Sequence, residues 1–246
     1  MLDLWTRTSG TWINVITVLL GTFLGLLLQN RLPKKMQQIL TSALGLLTLW
    51  IGLTLADSLQ QAQGGRIDGV ILGLLCLAIG GILGEALQLE ERLADIGNWL
   101  QGKFRGKGRF TEGFVASSLL FCIGPLAILG SLNNGLTGDN TLLVLKAVMD
   151  AIASLALASS YGIGVGFSTL TILLYQGGIS LAAGSLATLV PDPQSDPRIF
   201  LVTGVGGLTI IGLGLNLLDV TRIRVASFLP AILLAPFIYW LSDRIG

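Results

Sequence analysis

The chain has 246 residues, a net charge of +1 and 12% charged residues, against 52% hydrophobic residues and a mean hydropathy of +0.78. Soluble domains carry about 25% charged residues, so this composition indicates a membrane protein, and the small net charge argues against a broad nucleic-acid-binding surface. Histidine is absent and the two cysteines, Cys76 and Cys122, lie in separate apolar segments. These facts exclude His-based catalysis, His-ligated metal sites and a CxxC metal site.

Apolar segments long enough to cross a bilayer as α-helices recur along the whole chain. We therefore predict an all-α fold, a polytopic bundle of about eight transmembrane helices, and expect residues 1–246 to form a single integral membrane domain. The first apolar segment follows Asp3 and Arg7 without a small-residue cleavage site, so we expect a retained span and not a signal peptide. The predicted spans are approximately 11–29, 38–56, 67–88, 113–131, 141–160, 163–187, 199–218 and 224–242.

The basic residues predict the orientation of these spans. Ten of the fifteen Lys and Arg residues fall in the first, third and seventh connectors, which we therefore expect in the cytoplasm, with both termini outside. The third connector, from Leu89 to Glu112, is predicted to be an amphipathic or irregular cytoplasmic segment. The ten basic residues are Arg31, Lys34, Lys35, Arg92, Lys103, Arg105, Lys107, Arg109, Arg222 and Arg224.

Two short sequence matches suggest an internal inverted repeat. The pattern Gly-x-x-Leu-Gly-x-x-Leu-Gln occurs at residues 21–29 and again at 80–88, and Ile-Gly-Leu-x-Leu occurs at 51–55 and at 211–215. Inverted repeats are a common way to build a transporter, although short matches also arise by chance in a chain rich in Gly and Leu. The GxxxG spacing within the first pattern predicts close packing between helices.

The fourth predicted span contains the pair Gly124-Pro125 in its middle. Proline removes a backbone donor and clashes with the preceding turn, so this pair predicts a kink or a discontinuous helix. Such a break either serves packing alone or lines a site, as in many transporters. Ser118 precedes the break, and Asn133 and Asn134 follow the predicted span, in an outer loop or a short re-entrant segment.

Asp150 is the residue that points most directly to function. It lies in the middle of the fifth predicted span, where a carboxylate costs about 2.5–3.5 kcal/mol on insertion scales. Lys146, Asp150 and Ser154 are spaced i, i+4, i+8, which places them on one face of a helix. Asp150 either forms a structural ion pair with Lys146 or is a proton- or cation-responsive carboxylate facing a wet cavity. Gln176 and Asn216 are expected to complete a polar pocket between spans four to seven.

Several of these segments resemble one known family. They are similar to the YqgA-like bacterial inner-membrane family, known as domain of unknown function 554, and the resemblance covers nearly the whole chain. It implies a multi-pass inner-membrane protein without an established activity, usually described as a transporter. A shorter similarity, Met149-Asp150-Ala151, is to manganese exporters of the LysE-like superfamily and would make Asp150 a cation ligand. The segments that carry the main resemblance are 117–139, 146–154, 175–177 and 206–216.

The favoured hypothesis is a transporter or exporter of a small solute or ion, with a substrate path between the broken fourth span and spans five to seven. The alternatives are a passive channel and a non-transporting membrane protein in which Lys146 and Asp150 form a structural ion pair. We expect no enzymatic activity and no cofactor, because no nucleophile–base pair is recognisable. The expected partners are the lipid bilayer, a small ion or solute and a second copy of the chain. The candidate site residues are Asp150, Ser154, Ser118, Asn134, Gln176 and Lys146.

Overall fold

The computed structural model describes residues 3–29, 31–63, 67–106, 108–189 and 195–245, and these residues form helices without a β-strand. The all-α prediction is confirmed. Lys107, one of the basic residues counted above, lies outside the described residues. The α-helices are α1 Leu4–Gln29, α2 Lys34–Ala56, α3 Gly69–Ala86, α4 Leu89–Lys103, α5 Phe110–Cys122, α6 Pro125–Thr137, α7 Thr141–Tyr161, α8 Gly164–Leu189, α9 Pro197–Leu217 and α10 Leu229–Ile245, with 3₁₀ helices at Asp57–Gln61 and Val225–Phe228.

Within the described ranges, seven helices are long and apolar enough to cross a membrane, namely α1, α2, α3, α7, α8, α9 and α10. Helices α5 and α6 add an eighth candidate if they count as one span with a bend of 61°. The predicted number of about eight spans and the predicted discontinuous helix are therefore confirmed. Helix α4 occupies the predicted third connector, where the Lys103 ammonium lies 4.8 Å above the Trp99 ring.

The bend between α5 and α6 is made by Gly124, whose φ of 139° and ψ of 153° fall in a region that is essentially restricted to glycine. Helix α6 starts at the next residue, Pro125, where the missing N–H of proline costs no helical hydrogen bond. The predicted break therefore lies at the predicted residues. Its physical basis is one glycine conformation followed by a restarted helix.

Helices α5 and α6 lie along α7, with α5 beside the end of α7 and α6 beside its start. A Cβ built on Gly113 of α5 would lie 2.7 Å from the Cβ of Tyr161, at the end of α7. A Cβ built on Gly130 of α6 would lie 2.8 Å from Cδ2 of Leu143, near the start of α7. Asn133 and Asn134 lie in α6, which continues to Thr137, so the expectation of an outer loop is wrong.

The chain divides into two compact units, and each contains part of the long helices. Unit 1 comprises Met1–Leu44 and Ala94–Pro191, and unit 2 comprises Gly45–Leu93 and Asp192–Gly246. In unit 1, α1 packs against α6, α7 and α8, and α8 also packs against α5 and α6. In unit 2, α3 and α9 both pack against α10. The predicted single integral membrane domain over residues 1–246 stays a prediction.

The GxxxG pairs lie at close backbone contacts within the two units. A Cβ built on Gly21 of α1 would lie 2.1 Å from Oγ of Ser154 and 2.3 Å from the carbonyl oxygen of Ala151, both on α7. In unit 2, a Cβ on Gly84 of α3 would lie 1.9 Å from the carbonyl oxygen of Ser227. Because no larger residue fits at these positions, glycine permits the backbones to approach this closely. The predicted packing role is confirmed, and the inverted repeat stays a prediction.

Helix α7, which carries Asp150, has a defined start. The Asp139 carboxylate accepts hydrogen bonds from the Thr141 backbone N–H (3.0 Å) and from the Thr141 hydroxyl (2.6 Å). These bonds favour the charged form and hold the pKa of Asp139 below its ordinary value. The start of α7 is thereby fixed at Thr141, about nine residues before Asp150, or about 13 Å along the helix.

We expect Gly21→Ala to destabilise the protein, because its new methyl group would overlap the α7 backbone. Overpacking of this kind costs about 1–3 kcal/mol. The matched control is Gly178→Ala in α8, where a Cβ meets nothing within 4 Å. Alanine is favoured over glycine in a helix by up to about 1 kcal/mol, so the control should be neutral or stabilising. The measurement is the apparent melting temperature of the purified protein in detergent, and equal values for the two variants would contradict the packing argument.

Candidate functional site

Lys146 and Asp150 form the predicted ion pair inside unit 1. The two side chains lie one turn apart on α7, and the Lys146 ammonium donates directly to Oδ2 of Asp150. Only 5% of Lys146 and 7% of Asp150 is exposed. The local spacing of the two residues brings them together, and burial places both charges away from solvent.

Asn14 of α1 also contacts Asp150, and sequence reasoning missed this residue. Its Nδ2 donates to Oδ2 of Asp150 at 2.9 Å and to Oε1 of Gln176 at 3.3 Å. Asn14 and Gln176 are both fully buried. A charged carboxylate can accept hydrogen bonds but cannot donate them, so the amide nitrogen of Asn14 must face Asp150. This fixes the orientation of the side-chain amides of Asn14 and Gln176. One asparagine therefore connects α1, α7 and α8.

Several buried polar atoms of α1, α6 and α8 have no hydrogen-bond partner among the described residues. They include Oγ1 of Thr11, Oδ1 of Asn14, Oγ of Ser131 and Nε2 of Gln176. Thr11 lies one turn before Asn14 and near Gly177, and the backbone oxygen of Ser131 accepts from Ser180 of α8. We call Thr11, Asn14, Ser131, Lys146, Asp150 and Gln176 the polar cluster.

The helix break lies next to the polar cluster. The ammonium of Lys146 is 5.9 Å from the centre of the Phe121 ring, in the last turn of α5. The next residue, Cys122, is close enough to Lys146 and Asp150 to interact electrostatically with both. Gly124 follows two residues later. The predicted association between the broken span and Asp150 is therefore present in the structure.

Two of the predicted site residues form their hydrogen bonds away from Asp150. The hydroxyl of Ser154 donates to the carbonyl oxygen of Ala151 in its own helix (2.9 Å) and packs against Gly21. The hydroxyl of Ser118 pairs with that of Thr171 at 3.0 Å and so connects α5 to α8. Both serines lie on helices that form the site, but neither contacts the carboxylate.

Asn134, another predicted site residue, fastens α6 to the start of α1. Its Nδ2 donates to the carbonyl oxygen of Thr6 (3.0 Å), and its Oδ1 accepts from the backbone N–H of Gly10 (3.0 Å). Thr6 and Gly10 are the two residues that one hydrogen bond of an α-helix would join. With further bonds to Ser9 and Gly138, the carboxamide is fully used, and the structure does not bring it to Asp150.

Asn216, which was expected to complete the pocket, uses its side chain for a local contact. It lies in unit 2, where its side chain donates to the backbone oxygen of Ile223 and accepts from the backbone N–H of the same residue, both at 2.7 Å. Asn14 takes the place expected of Asn216. The signal that could have found it is the polar series Thr11, Asn14 and Thr22, which shares a face of α1 with the packing glycines.

Among the described residues, no group of three or more His, Cys, Asp or Glu side chains could hold a metal ion. A cavity of about 350 Å³ lies in unit 2 and is not part of the polar cluster. Arg224 and Glu85 form an ion pair at its polar end, and Arg224 also pairs with Glu91. Nearby, Glu90 accepts from the backbone N–H of Ala226, and burial raises the pKa of this carboxyl group. The polar cluster is buried. The cavity in unit 2 is open, and its charged residues Arg224 and Glu85 are paired with each other.

The chain belongs to the family described as "Protein of unknown function (DUF554)", whose model matches residues 9–240. It is 31% identical over 237 residues to the uncharacterized membrane protein YdfK of Bacillus subtilis, covering 96% of this chain and 98% of that one. It is also 31% identical over 233 residues to the uncharacterized protein YqgA of Escherichia coli, covering 92% and 94%. The resemblance stated from the sequence is confirmed. No solved structure matches this chain.

We expect Asn134→Ala to lower the stability of the protein by about 1–3 kcal/mol, because it leaves the backbone groups of Thr6 and Gly10 without their side-chain partner. Asn133→Ala is the matched control, since the Asn133 side chain is only half-buried and the change should stay within about 0.5 kcal/mol. The apparent melting temperatures of the two variants in detergent measure the difference. If Asn133→Ala melts at as low a temperature as Asn134→Ala, the proposed role of Asn134 in joining α6 to α1 is refuted.

Proposed function

We propose that this member of the DUF554 family is a transporter or exporter of a small solute or ion in the bacterial inner membrane, and that the polar cluster is its binding site. One observation carries the proposal. The hydrogen-bonded series Asp150, Asn14 and Gln176 contains two buried atoms without a protein partner, Oδ1 of Asn14 and Nε2 of Gln176, and it lies beside a broken helix. A small polar ligand would supply the missing hydrogen bonds.

The number of unpartnered atoms favours a binding site over a purely structural role. A buried polar group without a hydrogen bond costs about 1–3 kcal/mol, and Thr11, Asn14, Ser131 and Gln176 each contain one. A purely structural ion pair within α7 would need none of these atoms. The arrangement is therefore consistent with a pocket built for a ligand that forms several hydrogen bonds.

The closure of the polar cluster favours a carrier over a passive channel. Asn14, Ser131 and Gln176 are fully buried, and Asp150 is nearly so. A passive channel needs a continuous polar path, whereas a carrier encloses its site and opens it to one side at a time. The break at Gly124 provides a place where α5 and α6 can change their relative angle.

A second candidate, a non-transporting protein with a structural ion pair, is favoured by the direct contact between Lys146 and Asp150. The two functions differ in what happens when both charges are removed. A structural ion pair can be replaced by apolar residues of similar size with little loss, because removing both charges leaves neither unpaired. A transporter would lose activity even if it remained folded.

The transport proposal predicts that Asp150→Asn reduces flux at least about tenfold, since it removes the only carboxylate of the polar cluster. Reconstituted protein on a solid-supported membrane would be exposed to steps of Na⁺, K⁺, Mg²⁺, Mn²⁺ and amino acids while current is recorded. Asp219→Asn is the matched control, because Asp219 is exposed and its positive φ of 58° suits Asn. Unchanged flux in Asp150→Asn would remove Asp150 from the mechanism.

The double variant Lys146→Met/Asp150→Leu separates the two candidate functions. If the protein is a transporter, we expect this variant to fold and to be inactive in the same flux assay. If the pair is only structural, the double variant will behave like wild type in the cell, while either single change is harmful. The cellular measurement is the growth of a deletion strain carrying each variant, compared with the same strain carrying the wild-type protein.

We also propose that both termini lie outside the cytoplasm. The charge bias of the connectors supports this orientation, as does the crossing of α5 and α6, which gives an even number of spans. A C-terminal alkaline phosphatase fusion should be active and a C-terminal green fluorescent protein fusion dark, because each reporter works on one side of the membrane only. The same reporters placed after Phe104, in the third connector, should give the opposite result. Matching results at the two positions would contradict the topology.

A further inference from the structure

The polar cluster contains one anion and one cation, and these two side chains neutralise each other. We infer that the ligand of this site is a monovalent cation, Na⁺ or a proton, and that Lys146 is a built-in competitor which the cation displaces from Asp150. This inference rests on the proposed function and specifies its ligand. It begins from the ion pair between Lys146 and Asp150, the feature that otherwise argues for a structural role.

The charge balance selects a monovalent ligand. Asp150 is the only carboxylate of the polar cluster, so the empty site is neutral when Lys146 is bound to it. Replacing the ammonium by one Na⁺ or one proton keeps the site neutral. A divalent cation would leave an excess positive charge in a medium of low dielectric constant, where unpaired charges are costly.

The ammonium of Lys146 can leave Asp150 because it can reach water. It lies five residues after the start of α7 at Thr141, or about 7.5 Å along the helix, whereas Asp150 is about 13 Å along it. A lysine side chain at that depth can extend toward the end of the helix and place its ammonium in water. Asp150 cannot, so the carboxylate stays in the site while its partner moves.

The oxygen atoms around Asp150 suit a hard cation. The two described hydrogen bonds to Asp150 both end on Oδ2, so neither uses Oδ1. Oδ1 of Asn14, whose amide nitrogen binds Asp150, is unpartnered and can also act as a ligand. Hard cations prefer such oxygen ligands. Oε1 of Gln176 accepts one hydrogen bond from Asn14 and keeps a second lone pair for a cation.

Few other charged or titratable groups face Asp150 from the surrounding helices. Helix α6 has none, α5 contributes Cys122 near the cluster, and α8 contributes Tyr175. In α1, Arg7 is bonded to three backbone carbonyl oxygens near the ends of α6 and α8. At the opposite end of α5, Glu112 pairs with Arg109. A cation that binds at this site must therefore bind to Asp150.

The test measures cation binding by the purified full-length chain in detergent. The apparent melting temperature is recorded while NaCl replaces choline chloride at constant ionic strength, and separately across a pH series without Na⁺. We expect a saturable rise in wild type with Na⁺, or a rise with falling pH if the ligand is a proton. Asp150→Asn should abolish whichever response occurs.

Lys146→Met provides the decisive comparison. Without its competitor the cation should bind about tenfold or more tightly, shown as a lower half-saturating NaCl concentration or a response that begins at higher pH. Lys103→Met is the control, since it removes an exposed lysine outside the polar cluster and should leave the response unchanged. The uncharged double variant Lys146→Met/Asp150→Asn should not respond and is a second check if Lys146→Met is unstable.

Three results would overturn the inference. They are the absence of a saturable Na⁺ or pH response in wild type, the same half-saturation in wild type and Lys146→Met, and a response to MnCl₂ at lower concentration than to NaCl. The flux assay shows whether the inference alone is wrong or whether the proposed transport function is wrong. Flux without any cation response would support transport and refute the inference. Cation binding without flux of any tested solute would support a cation site at Asp150 and count against transport.

Discussion

The hydrogen bond from Asn14 to Asp150 is the contact on which the arrangement of unit 1 depends. Inside a bilayer a carboxylate must find its partners within the protein, because lipid offers none. Lys146 is a local partner on the same helix, but Asn14 comes from α1 and also binds Gln176 of α8. Three helices separated in sequence are therefore held at fixed distances by one carboxamide. Moving any one of them would leave a buried polar group without its partner.

That hydrogen bond requires α1 and α7 to approach each other closely, and small residues permit this. Gly21 and Gly25 of α1 face the backbone of α7 around Ala151 and Leu155, immediately after Asp150. Dispersion forces between the two backbones hold the helices together, since the hydrophobic effect does not favour helix association within lipid. The glycine pair and the polar contact thus act at neighbouring positions on the same helix pair. Packing sets the distance at which Asn14 can bind the carboxylate.

The features that the sequence predicted are those that depend on local spacing. Lys146 and Asp150 are one helical turn apart, and Gly124-Pro125 kinks or breaks a helix through its own backbone chemistry, so both features were accessible from the sequence. Asn14 is 136 residues from Asp150, and no local pattern specifies that pairing. Asn134 was misassigned for a related reason. Its polar carboxamide looks like a loop or site residue until the start of α1, with which it bonds, is placed beside it.

The hydrogen bonds around the polar cluster are unequal at its two ends. Near the start of α1, Arg7 binds the carbonyl oxygens of Gly135, Ser180 and Leu181, and Asn134 adds its bonds to Thr6 and Gly10. On the other side of the break at Gly124, the described side chains of α5 and α8 are joined by the hydroxyl pair of Ser118 and Thr171. Separating the helices near the start of α1 would break these five hydrogen bonds, whereas rotation of α5 about Gly124 would break the Ser118–Thr171 pair and the contact of Arg109 with the Tyr161 ring. The helices around the polar cluster are therefore held together by more hydrogen bonds at the end where α1 begins. Gly124 lies between this end and the end where α5 begins.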